Sequence, residues 1–148
     1  MVAYIDVSFE GEEKQYGIRP GIAIAAPQVG LGVSLIYLNF VDEDDTHHQY
    51  FLANPKIITE SNERSYLPAG EGCLSVKQEH PGIVPRARFV TVSATIYPTQ
   101  EKIEIKAGGL LSICLQHEID HLHGRLFYDR INPFSPDNIE KDWHQVER

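Results

Sequence analysis

The stretch from Leu110 to His123 constrains this chain more than any other, because it has the pattern of a helix yet is apolar almost all the way round. At about 100° per residue its polar arc holds only Ser112, Gln116, Asp120 and His123. The rest of the circumference carries Leu110, Leu111, Cys114, Leu115 and Leu122, and set among them are His117, Glu118 and His121. A helix of this kind is enclosed by protein. An enclosed carboxylate needs a partner, since burying it alone is costly. Gly108-Gly109 opens the helix, and Gly124 stands where a C-terminal cap belongs. The remaining chain therefore has to wrap this helix and satisfy its ionisable groups.

Strands supply the wrapping. Val33 to Phe40 is rich in β-branched and aromatic residues, Asp42 to Asp45 reads as an acidic turn, and Tyr50 to Thr59 is a second extended run that Asn54-Pro55 is expected to break. Val90, Val92, Ala94 and Ile96 alternate with polar neighbours, and Lys102 to Lys106 alternates again after Pro98, which predicts a hairpin. The first residues, Tyr4 to Phe9, suit a short helix or strand, followed by a charged connector from Glu10 to Lys14. Residues 60 to 75 are polar and glycine-rich and read as loop, and Asp137 to His144 as a short helix. The expected fold is α+β, with small mixed or antiparallel sheets packed around one central buried helix. With 148 residues and no linker or repeat, 1–148 is expected to form one domain.

Charge narrows the partners. The formal net charge is −8, with no Lys/Arg block, which argues against phosphate backbones and anionic lipid as broad surfaces of contact. The uncharged run from Gly21 to Phe40 is long enough to suggest a membrane span, but Pro27, Gln28, Gly30, Gly32 and Asn39 interrupt it, so the reading is a soluble protein. Cys73 and Cys114 have no secretory signal before them and are expected to be reduced thiols in a cytoplasm.

His117 and His121 are four apart, so their imidazoles stack on one side of the helix close enough to share a cation, with Glu118 beside them in the pattern H-E-x-x-H. The bland counterpart is a pair of hydrogen-bonded core histidines and an ion-paired glutamate. A catalytic divalent site takes three protein ligands, so a third must come from elsewhere. The metzincin continuation is excluded, because Phe127 stands where its third histidine would be. Glu140 is a downstream carboxylate candidate in a charged segment. Cys114, one turn before His117, reads as a small buried apolar side chain. Cys73 is the stronger candidate, following Gly72 in a loop with little reason to bury a thiol.

Three strings then coincide with the signature motifs of peptide deformylases: Gly21-Ile22-Ala23-Ile24-Ala25-Ala26-Pro27-Gln28, Glu71-Gly72-Cys73-Leu74-Ser75, and Gln116-His117-Glu118-Ile119-Asp120-His121-Leu122-His123-Gly124. The chain resembles that family from about Tyr16 to Asn132, and the long segment between the first two motifs, with Val84-Pro85-Arg86, resembles its Gram-positive-type branch. The resemblance implies a hydrolase that removes the formyl group from the N-terminal formylmethionine of nascent polypeptides at the ribosome, acting as a monomer. By the motif match Cys73, His117 and His121 would hold one divalent metal, Fe²⁺ in the cell with Zn²⁺ or Ni²⁺ as substitutes. Glu118 would accept a proton from the attacking water and hand it to the leaving amine, while the Gln28 amide and the Leu74 backbone N–H would face the oxyanion. Gly21, Ala23, Gly72 and Arg86 would contact substrate, and Asp120 would pair with Arg86 or Arg88. Ala23 departs from the motif's usual glycine, with two readings open: a left-handed backbone there and a methyl group facing substrate limit activity, or a negative φ with Cβ turned away leaves alanine harmless. The family's N-terminal region is longer, so Met1 is expected to fall part-way along its first helix. The alternatives are an H-E-x-x-H metallopeptidase using Glu140 and a weakened deformylase-like binding protein.

Overall fold

The computed structural model describes residues 2–12, 21–74, 76, 78 and 80–147; Lys14, Tyr16 and Ser75 lie outside them. Helix α1 (Val2–Phe9) precedes β1 (Ala23–Ala25), β2 (Leu35–Val41), β3 (His47–Glu60), β4 (Arg64–Tyr66), β5 (Arg86–Ala87), β6 (Val90–Ile96) and β7 (Glu101–Ala107). Helix α2 (Gly109–Leu122) and strand β8 (His144–Gln145) complete the set. The five-stranded sheet runs β1-β2-β3-β6-β7 and every pair in it is antiparallel. A small sheet runs β5-β4-β8, with β4 and β8 parallel. This is the α+β arrangement the sequence implies.

Alternation decides which face of the large sheet meets α2. Ile36, Leu38 and Phe40 of β2, Leu52 of β3 and Val90, Val92 and Ala94 of β6 are buried in one cluster with Leu110, Leu111, Ile113, Leu115 and Ile119. Their positions two apart on each strand put them on one side of the pleat. Helix α1 sits over β2, where Ile5 packs with Ile24 and Tyr37. Gly21 to Phe40, the uncharged run, is thus divided between β1, a short 3-10 helix at Ala26–Val29 and most of β2. No helix among the described residues is long and apolar enough to cross a membrane.

Three expectations need correction. Asn54-Pro55 does not break the second strand: β3 runs through it for 14 residues, with the pairing to β6 shifted between Ala53 and Lys56. Proline has no N–H to give the ladder, and Asn54, at φ 50°, turns its N–H to Ser34 O at 2.8 Å instead. The 60–75 segment contains β4, because Ser65 and Tyr66 are buried rather than exposed. Asp137 to His144 is not helical. It runs as turns over the surface until His144–Gln145 pairs with β4, and Val146 then buries fully with its N–H on Tyr66 O at 2.9 Å. Only Ile139 and Trp143 are apolar there, too few to hold a helix against the core.

Candidate active site

Helix α2 is enclosed as expected, but its polar arc points at protein. Ser112, Gln116 and Asp120 are all buried, and the first two clasp the short edge strand β5. Ala87 N–H donates to Gln116 Oε1 at 3.0 Å, and Ala87 O accepts from Gln116 Nε2 at 2.9 Å and from Ser112 Oγ at 3.0 Å. That grip fixes β5 along the helix and so fixes Arg86. Its guanidinium lies between two acids, donating from Nε and Nη2 to Glu71 at 3.0 and 2.7 Å and from Nη1 to Asp120 at 2.6 Å. Arg88 goes elsewhere, to Glu63 at 2.9 Å.

Glu71 carries the arrangement on to His117, three residues before Asp120 on α2. Its Oε1 lies 2.8 Å from His117 Nδ1, which leaves Nε2 as the remaining ring nitrogen for a metal. Cys73 Sγ lies 3.2 Å from His121 Nε2, and the ligand atoms of Cys73, His117 and His121 all fall within 4.8 Å of one another. Among the described residues this is the one group that could hold a metal ion; Glu140 is exposed in the C-terminal segment and Cys114 is outside the group. Phe127, in place of a third histidine, stacks on the His117 ring with centroids 6.1 Å apart. Glu118 is buried beside the cluster, and its Oε2 has no hydrogen-bond partner.

The donor set fits a cation. A thiol, two imidazoles and a buried acid with an unpartnered oxygen, with a second acid behind His117, offer the sulfur, nitrogen and oxygen donors a divalent ion takes. Burial pushes the Glu118 carboxyl up to about 7, although His117 and His121 pull it down. Burial opposes charge on His117, yet hydrogen bonds with Cys73 and Glu71 hold its pKa up at about 9. Burial would raise Glu71 too, but His117 and Arg86 keep it below the usual carboxylate range.

The cluster opens on a cavity of about 330 Å³. Its lining includes Gln28, Glu71, Gly72, Cys73, Leu74, His117 and Glu118 together with Gly21, Ala23, Leu110, Ile113 and Cys114. Gln28 sits on the 3-10 turn that Pro27 starts and Gly30, at φ 79°, ends. The main chain orients its amide: Ala25 N–H donates to Oε1 at 2.7 Å, and Nε2 then faces Cys73 Sγ at 3.3 Å. Gly21 passes so close to Leu74 that a Cβ would lie 2.7 Å from Leu74 Cδ1. Ala23 lies in β1 without a positive φ, so left-handed strain is absent, although the residue does line the cavity. Arg86 and His121 are not among the residues that line the cavity; Arg86 is 2% exposed and engaged with Glu71 and Asp120.

In the sequence Glu71 stands out only as part of a motif, and its bond to His117 follows from no spacing rule. Arg130 carried no signal at all, yet it grips Asp120 through Nε and Nη2 at 2.6 and 2.7 Å.

Residues 1–137 match the family model described as polypeptide deformylase. The chain is 45% identical over 146 residues to the peptide deformylase of Malacoplasma penetrans (strain HF-2), covering 99% of this chain and 78% of that one. It is similar to the crystal structure of Arabidopsis thaliana peptide deformylase 1B in complex with an inhibitor, at 34% identity and a TM-score of 0.70 over 89% of this chain and 66% of that one. It is also similar to a class I type b peptide deformylase from Acinetobacter baumannii with Met-Ala-Ser bound, at 31% identity and a TM-score of 0.67 over 88% of this chain and 80% of that one. The three motifs, the sheet wrapped on α2 and these likenesses agree, and the chain belongs to the polypeptide deformylase family.

Proposed function

We propose that this chain hydrolyses the formamide of N-formylmethionyl peptides emerging from the ribosome in the cytoplasm, with one divalent ion, Fe²⁺ in the cell, held by Cys73, His117 and His121. The observation that carries the reading is the meeting of these three ligands with the unpartnered Glu118 oxygen beside a cavity that Cys73, His117 and Glu118 help to line. A divalent ion there would supply Lewis acidity, polarising the formyl carbonyl and making water acidic enough to attack near neutral pH. Glu118 accepts the proton of the attacking water and delivers it to the departing amine. Gln28 Nε2, fixed by the Ala25 amide, donates to the oxygen that becomes negative, and the Leu74 backbone N–H is the second donor. Gly21, Ala23 and Gly72 border the path of the peptide backbone, and Leu110, Ile113 and Cys114 give the methionine side chain an apolar seat. Glu71 and Arg86 hold His117 in orientation.

The test is deformylation of formyl-Met-Ala set beside cleavage of an unformylated peptide, with metal content measured on the same samples. Wild type should act only on the formylated peptide, and Cys73→Ser should lose both metal and activity. A Cys73→Ser protein that keeps its metal would reassign the third ligand. Cleavage of internal peptide bonds would move the chain to the peptidases.

A further inference from the structure

Five side chains form an unbroken run of short polar contacts from the metal-ligand cluster to the surface: His117, Glu71, Arg86, Asp120 and Arg130. They come from four segments: α2, which supplies both His117 and Asp120, the loop before Cys73, β5 and the 3-10 turn at Phe127–Arg130. The run alternates in charge, two guanidiniums against two carboxylates, with His117 facing Glu71 through Nδ1 at its inner end. Arg86 is shared by both acids, and each carboxylate bonds it through short contacts. Arg130 is the outermost member. Its side chain is 36% exposed, and it meets Asp120 with the forked geometry in which two N–H groups reach two oxygens.

We infer that Arg130 is a positioning residue for the metal ligand His117, acting through Asp120, Arg86 and Glu71. The physical argument is competition. With Arg130 in place, Asp120 is largely satisfied, and Arg86 keeps two of its three bonds for Glu71. Without Arg130, the buried Asp120 has Arg86 as its one cation, and the remaining guanidinium faces two carboxylates. Arg86 is then drawn toward Asp120, Glu71 loosens, and the His117 ring loses the bond that fixes its tautomer and its angle. Partners one step behind a ligand commonly change metal affinity by about 10–100-fold. Three steps farther out, the expected effect is smaller, roughly threefold to tenfold.

The inference rests on the metal site proposed above, and the experiment separates the two. Zinc-loaded wild type, Arg130→Leu, Arg130→Lys and Glu71→Gln would be mixed with excess chelator and the rate of metal loss followed. Kinetics with formyl-Met-Ala would be measured on the same preparations. Arg130→Leu should release metal threefold to tenfold faster and lower kcat by a similar factor with KM within twofold. Arg130→Lys, which keeps the charge and loses the fork, should fall between it and wild type. In the Glu71→Gln background, Arg130→Leu should add nothing to the release rate, because the route is already cut. Should the leucine variant fail to fold, the lysine variant carries the same comparison. Release within about 1.5-fold of wild type in both Arg130 variants overturns the inference, as does a change confined to KM or a full additive effect in the Glu71→Gln background. If Cys73→Ser also keeps its metal, the site itself is misassigned and both readings fall; if Cys73→Ser releases metal while Arg130 has no effect, only the positioning role is lost.

Discussion

Replacing Arg86 with methionine, similar in length but uncharged, tests the charged lattice under α2 most severely. The substitution removes three bonds of 2.6–3.0 Å to two buried carboxylates. Glu71 would keep only His117, while Asp120 would keep its fork to Arg130. Removing one partner from a buried ion pair costs about 3–5 kcal/mol, since the remaining charge is stranded. The surviving contacts place this case near the lower end, about 3 kcal/mol, or a fall in Tm of about 12 °C for a chain of this size. The sign of the pH dependence follows from Glu71 and Asp120. Both lie below their usual values in the folded wild type, so their contribution is present above the unfolded carboxylate range and is lost as pH falls through the folded values. In the variant, burial acts on Glu71 with less opposition, its pKa rises, and it takes up a proton earlier. The gap between the proteins is therefore full at pH 8 and narrows toward about pH 4.5. Urea unfolding of chelated protein at both pH values measures it. A gap below about 1 kcal/mol at pH 8, or one equally large at both, would refute the reasoning.

Glu118→Gln should bind metal normally, lose at least about 100-fold in kcat, and raise the Tm of the chelated protein near pH 8, where the buried carboxyl would otherwise have to ionise; metal analysis, kinetics and calorimetry on one preparation check all three. Gly70→Ala should destabilise by about 2–4 kcal/mol, because residue 70 has φ 80° and a Cβ there would sit 2.8 Å from Gly82 O. A loss under about 1 kcal/mol in chemical denaturation would show that the loop yields. Ala23→Gly should leave kcat/KM within about threefold and cost about 1 kcal/mol of stability, as for glycine introduced into a buried strand. A tenfold gain in kcat/KM would restore the view that the methyl group obstructs substrate.

The central helix and its candidate ligands are legible because their chemistry is local. Two histidines and a glutamate on an apolar helix conflict with burial unless something answers them, and one turn of spacing shows the conflict. Cys73 could be picked out because a glycine-flanked thiol in a polar loop has no packing reason to be there. The hairpin of β6 and β7 followed from strict alternation. What escaped is settled by contacts between distant segments. A two-residue strand such as β5 has no pattern of its own, so nothing in Ser112 or Gln116 said that they would hold Ala87. The last strand forms because β4 offers an edge and Val146 a buried anchor, and the sequence from Asp137 to His144 contains neither. Arg130 resembles any surface arginine until Asp120 is seen to need a second cation.

The Ala25 amide does more than steady Gln28. By occupying Oε1 it gives the side chain a polarity: acceptor inward to the main chain, donor outward to the thiol. A carboxylate of the same shape could satisfy Ala25 equally well, but its other oxygen would then meet Cys73 as an anion instead of a donor. Deamidation of Gln28 would accordingly leave the fold intact and reverse the electrostatic sense of the cavity at its most sensitive point. A stored preparation could lose activity in this way with its thermal unfolding curve unchanged, visible only as an acidic shift on isoelectric focusing.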